Sequence, residues 1–247
     1  MNTELSTDSV RGFPQTHWSL VLAAGEPHSS QAAAALEELC RTYWFPLYAF
    51  ARRLNHAPDQ AEDLTQAFFA HLLEKQLVSK LTPGGGKFRS FLLICFNHFI
   101  ADVKAHDACQ KRGGGRTFIP LNTREAEARF GRELSSNPTP EAFYDRDWAL
   151  ATVNEALRSM AAEFASSGRQ SLFETLHPFL AGDPEAPPYA EAARQLGTTE
   201  GTVKVTVSRM RQRYRELLRA RIAHTVADPA DIDDELRHLL TALTASG

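Results

Sequence analysis

Between Arg194 and Arg221 eight basic side chains face only two acidic ones, Glu200 and Glu216, in a 247-residue chain whose formal net charge is −3. Cations gathered on one short stretch can displace counterions from a nucleic-acid backbone. The same charges could simply solvate a helix face, and the spacing argues for more than that. Val203, Val207, Met210, Tyr214 and Leu217 recur at steps of four and three, a single apolar stripe, while Lys204, Ser208, Arg211 and Arg215 form another face. One side packs and the other is available to phosphate.

Upstream of this helix, Tyr189, Ala192, Ala193 and Leu196 place small and apolar groups on one face of a shorter helix. Gly197 supplies a positive-φ stop, and Thr199 is placed to cap the helix that follows. Short helix, glycine turn and long basic helix make a helix-turn-helix pattern, whose second helix enters a major groove near its N-terminus. Thr202, Lys204, Val205, Ser208 and Arg209 occupy that part, and Arg211 and Arg215, farther along, are placed to hold phosphates. Val205 either touches a thymine methyl or turns inward and widens the apolar stripe.

Helical periodicity dominates from Thr16 onward and alternating β-branched runs are missing, so an all-α fold is expected. Helices are predicted over 18–24, 31–54 with Tyr43, Trp44, Phe45, Tyr48 and Phe50 as an aromatic patch, 58–76, and 87–112. Pro46 is placed to kink the second. In the third, Ala61, Leu64, Phe68 and Leu72 face inward, which leaves Glu62, Asp63 and Gln66 as a polar patch flanked by Phe69. In the fourth, Phe91, Leu92, Ile94, Phe96 and Phe99 are too many to be exposed and are read as core. Arg89, Asn97, Lys104, Lys111, Arg112 and Arg116 remain as candidate contacts to an opened DNA strand.

Residues 117–145 mix charges with Asn137-Pro138-Thr139-Pro140 and read as a linker carrying a weak helix near Glu125 to Arg132. Helices over 146–164 and 170–180 follow, then the helix-turn-helix. The division expected is an N-terminal body over 1–116, the flexible linker over 117–145, a DNA-binding body over 146–222 and an acidic extension over 223–247. In that extension Asp228, Asp231, Asp233, Asp234 and Glu235 oppose Arg237. It is expected either to pack by its leucines or to screen the basic helix.

Specific stretches resemble the extracytoplasmic-function sigma factors of bacterial RNA polymerase. QAEDLTQAFFAHLL is similar to the family's core-binding helix through Glu62, Asp63, Gln66 and Phe69. FRSFLLICFNHFIADVKAH is similar to its promoter-opening segment through Phe88, Arg89, Asn97 and Ile100-Ala101-Asp102, and TTEGTVKVTVSRMRQRYRELL to its upstream-element reader. The likeness spans roughly residues 31–222. It implies two helical domains, core RNA polymerase and promoter DNA as partners, and room for an anti-sigma factor or another regulator. Family members commonly carry a small polar residue and then a basic one where this chain has Val205 and Thr206, so their promoter preference does not transfer.

Cys40, Cys95 and Cys109 are odd in number and scattered, and His106 with Cys109 lacks a second pair, so neither a disulfide framework nor a metal site is expected. Pro83 to Lys87 fails the phosphate-loop pattern, since Phe88 stands where Ser or Thr would reach magnesium. No catalytic constellation, cofactor or membrane segment is read, and a cytoplasmic location follows by default. The competing readings are a dimeric helix-turn-helix regulator acting without polymerase, and an adaptor whose basic helix only adds solubility.

Overall fold

A computed structural model describes residues 30–75, 87–109, 123–132, 139–180 and 186–244. Among them lie nine α-helices and no strand; Lys87 and Val226 form an isolated antiparallel bridge. The helices are α1 (Ser30–Arg53), α2 (Pro58–Glu74), α3 (Phe88–Cys109), α4 (Thr123–Arg132), α5 (Pro140–Ser166), α6 (Gln170–Leu176), α7 (Tyr189–Gln195), α8 (Glu200–Ala223) and α9 (Ile232–Thr244). The expected all-α class is the one observed. The helix predicted over 18–24 lies outside the described residues.

Local chemistry accounts for the boundaries. Arg52 and Arg53 close α1, where cations suit the negative end of the helix dipole. Pro46 sits inside α1 without ending it. Pro58 opens α2, its missing N–H costing nothing in the first turn. The α5 helix begins six residues before the predicted Arg146, because Thr139 accepts a hydrogen bond from the Ala142 amide at 3.3 Å and Pro140 occupies the first turn. That Thr-Pro pair, read as linker in the sequence, is a helix start. The helix predicted over 170–180 stops at Leu176 and tightens into a 3₁₀ turn over His177–Phe179.

Two buried clusters hold these helices. The first joins Tyr43, Tyr48 and Phe50 of α1, Phe68 and Leu72 of α2, and Leu92 and Phe96 of α3 to Tyr144 and Trp148 of α5, Ile222 of α8 and Leu239 of α9. The second joins Met160 and Phe164 of α5, Phe173 and Leu176 of α6, Ala192 and Ala193 of α7, and Val203, Val207 and Met210 of α8. Both α5 and α8 therefore contribute to both clusters, and α5 lies along α1 and against α8 and α9. Of the linker read over 117–145, the described parts are helical. Its α4 helix buries Ala126 and Phe130, and Arg52 binds Glu127 at 2.7 and 3.1 Å. That pair holds the Glu127 carboxyl below its ordinary pKa through the Arg52 hydrogen bond.

Candidate nucleic-acid and partner interfaces

The turn between α7 and α8 forms as its residues dictate. Gly197 adopts φ +62°, in the left-handed region that a side chain would disfavour, and the Thr198 amide donates to the Ala193 carbonyl at 2.9 Å. Thr199 caps α8 by accepting from the Thr202 amide at 3.2 Å. Burial of Val203, Val207 and Met210 then fixes the rotation of α8 about its axis. Thr202, Lys204, Val205, Ser208 and Arg209 are left exposed, so Val205 points outward.

The cations of α8 divide into two groups. Arg211 donates from Nη2 and Nε to the Phe179 carbonyl at 2.6 and 3.2 Å, tying α8 to the second cluster. That internal bond corrects the expectation that Arg211 lies free to hold phosphate. Lys204 pairs with Glu200 at 2.6 Å, which raises its pKa, and its Nζ lies 5.7 Å from the Tyr189 ring. Arg213 holds Glu163 at 2.6 Å, and Arg219 pairs with Asp233. Arg209 and Arg215 are exposed and make no ion pair among the described residues. Replacing Arg209 or Arg215 with alanine should therefore reduce the slope of log affinity against log salt by roughly 0.9 per lost phosphate contact. Arg211→Ala should instead lower the melting temperature and leave that slope in place; titration at several salt concentrations beside thermal unfolding separates the two.

On α2 the acidic and amide residues are only partly available. Asp63 is exposed, Glu62 and Gln66 are half-buried, and the Gln66 amide donates to Glu62 at 2.9 Å. Phe69, expected to flank this patch, is buried in the first cluster beside Phe68, their ring centroids 6.1 Å apart. A helix this rich in apolar residues buries a stripe wide enough to take both phenylalanines. Asp63 shares a groove of about 430 Å³ with His56, Gln60, Leu64, Phe99, Val103 and Lys104, which brings one predicted polymerase contact and one predicted strand contact to a common rim.

The predicted strand contacts of α3 separate by burial. Asn97 and Lys104 are exposed, one turn either side of exposed Ala101, and Ile94, expected in the core, is 56% exposed beside them. Lys111, Arg112 and Arg116 lie outside the described residues. Arg89, in the first turn of α3, is buried. Its Nε meets Glu235 Oε1 at 2.7 Å and its Nη1 meets Asp145 Oδ1 at 2.5 Å, while the Trp148 ring lies 5.1 Å away. Lys87 adds a second cation to Glu235 at 2.9 Å, and His238 Nε2 stands 3.0 Å from Asp145. Burial works against the charge of Arg89, yet the Glu235 hydrogen bond and the Asp145 charge raise its pKa above the ordinary value. Arg89 is thus an internal ion-pair partner where an exposed strand contact was expected.

Glu235 is the residue that sequence reasoning missed. Its signal was present: with Ile232, Leu236, Leu239 and Leu243 defining the apolar stripe of α9, position 235 falls on that stripe and not among the outward carboxylates. The acidic helix consequently packs on the first cluster. Its described ion pair with α8, Asp233 to Arg219, lies about 20 Å along the axis from Val205.

No protein-family profile matches the chain, and no solved structure matches it. It is 28% identical over 188 residues to the ECF RNA polymerase sigma factor SigE of Mycolicibacterium smegmatis, an alignment that covers 76% of this chain. The chain spans 63% of that relative's length. Among the described residues, no helix is long and apolar enough to cross a membrane. The helix-turn-helix geometry and this relative point the same way: the chain resembles the extracytoplasmic-function sigma factors.

Proposed function

We propose that the protein is a sigma subunit that binds core RNA polymerase, directs it to promoter DNA and supports strand opening at initiation. In this reading residues 1–116 form the polymerase-binding and promoter-opening domain and residues 146–222 the reader of the upstream element. The observation that carries it is the α8 surface: a helix capped by Thr199, locked by Val203 and Val207, and turning Thr202, Val205, Ser208 and Arg209 outward. Such a surface suits a major groove. Asp63 on α2, with Gln66 beside it, suits the basic surface of a large protein partner, because a carboxylate accepts charge-assisted hydrogen bonds from arginine.

Strand opening is assigned to exposed Asn97 and Lys104, and to Lys111, Arg112 and Arg116, which lie outside the described residues. Work beside the polymerase places the protein in the cytoplasm, and an anti-sigma factor or another regulator is a further partner in this reading. The subunit lends the polymerase an address and carries no catalysis or cofactor of its own.

Transcription in vitro with core polymerase on a pool of random promoter sequences tests this directly. The expected result is initiation at a defined set of sites only when the protein is added. No added initiation together with no affinity for core polymerase would overturn it. Protection of two half-sites about one helical turn apart without polymerase would favour a dimeric regulator instead.

A further inference from the structure

We infer that Val205 reads the C5 methyl of a thymine in the major groove, which makes one thymine of the target sequence a recognition point set by this chain. The inference rests on the reading above that α8 enters that groove.

Val205 is 52% exposed although Val203 and Val207, two residues away on either side, are each 1% exposed. Because those two anchor the helix, Val205 cannot turn inward without dragging both out of the second cluster. It stands in the second turn after the Thr199 cap, the part of a recognition helix that meets base edges. One turn earlier, a Cβ built on Gly201 would meet only Thr199 Oγ1, at 3.9 Å, so the backbone there is open to close approach.

The polar side chains nearest Val205 in sequence, Thr202, Lys204 and Thr206, are engaged within the protein. Thr202 and Thr199 share a hydroxyl hydrogen bond at 2.9 Å, the Thr206 hydroxyl donates to the Thr202 carbonyl at 2.8 Å, and Lys204 is drawn back to Glu200. Between Gly201 and Ser208, the group that projects without such an engagement is the valine isopropyl.

Base chemistry then selects the partner. Of the four bases only thymine presents an apolar group, its C5 methyl, on the major-groove edge. A valine has no donor or acceptor, so seating it against guanine, adenine or cytosine would strip water from a polar base atom and return nothing. Arg209, four residues on and exposed, is placed to engage the adjacent phosphate or guanine edge.

The test takes the sequence selected from the promoter pool by the full-length protein with core polymerase, and replaces its thymines one at a time with deoxyuridine, which lacks only the methyl. At one position the parent protein should bind about four-fold more weakly, the worth of roughly one buried methyl. Val205→Ala should abolish that penalty at the same position while responding like the parent everywhere else. Val205→Thr, which keeps the shape and one methyl, should keep part of it and guards against a folding defect in the alanine variant. Equal deoxyuridine responses for parent and Val205→Ala at every position would overturn this inference and leave the sigma reading standing. Failure to select any sequence would overturn both.

Discussion

Replacing Glu235 with alanine is expected to destabilise the protein by up to about 3–5 kcal/mol, because it takes from the buried Arg89 guanidinium one of its two carboxylate partners and leaves Asp145 alone to hold it. Glu235 is fully buried, Arg89 is 7% exposed, and both Arg89 and Lys87 converge on that one carboxylate. The backbone adds to the tie at the same point, where the Phe88 amide donates to the Thr225 carbonyl at 3.0 Å. Glu235→Gln should cost less, since an amide oxygen can still accept from Arg89. Urea unfolding followed by tryptophan fluorescence checks this, with Trp148 beside Arg89 as the local reporter. A midpoint for Glu235→Ala within error of the parent's would show that the cluster does not hold α3, α5 and α9 together.

Asp63→Arg combined with Gln66→Ala should weaken binding to core polymerase by about a hundredfold or more, the scale of reversing a charge opposite a basic partner. Asp63 is exposed and Gln66 half-buried, so the helical circular dichroism should be unchanged. Co-purification with core polymerase and a spectrum of the variant together decide it. Retained binding with an intact spectrum would remove the α2 patch from the proposed polymerase interface. The result matters most for Phe69: with its ring buried and the Gln66 amide bonded to Glu62, the exposed Asp63 carboxylate is the group that the proposed interface rests on here.

Much of the α7–α8 region was legible because it is governed by neighbours in sequence. Gly197 needs a positive φ whatever surrounds it, Thr199 caps the helix three residues ahead of its partner amide, and the four-and-three spacing of Val203, Val207 and Met210 defines an inner face. The same local logic located α1, α2 and α3 to within a few residues, and it failed at α5 only because Thr139-Pro140 resembles a linker and a helix start equally well.

Charged residues were a different matter, since a side chain's type does not reveal what folds against it. Arg211 was assigned to phosphate and instead grips the Phe179 carbonyl, thirty-two residues away in sequence. Arg89 was assigned to a DNA strand and instead meets Glu235, 146 residues away. The Glu127 and Asp145 carboxylates, in the stretch read as linker, are held by Arg52 and by Arg89.

Sequence alone determined the helical class, the glycine turn, the cap and the inward stripe of α8, because each follows from backbone preference or a period of a few residues. Tertiary structure alone decided which cations face solvent and which are consumed inside, and whether Val205 points out. Those outcomes depend on partners brought together from distant parts of the chain, and desolvation makes a charge buried without such a partner too costly to keep.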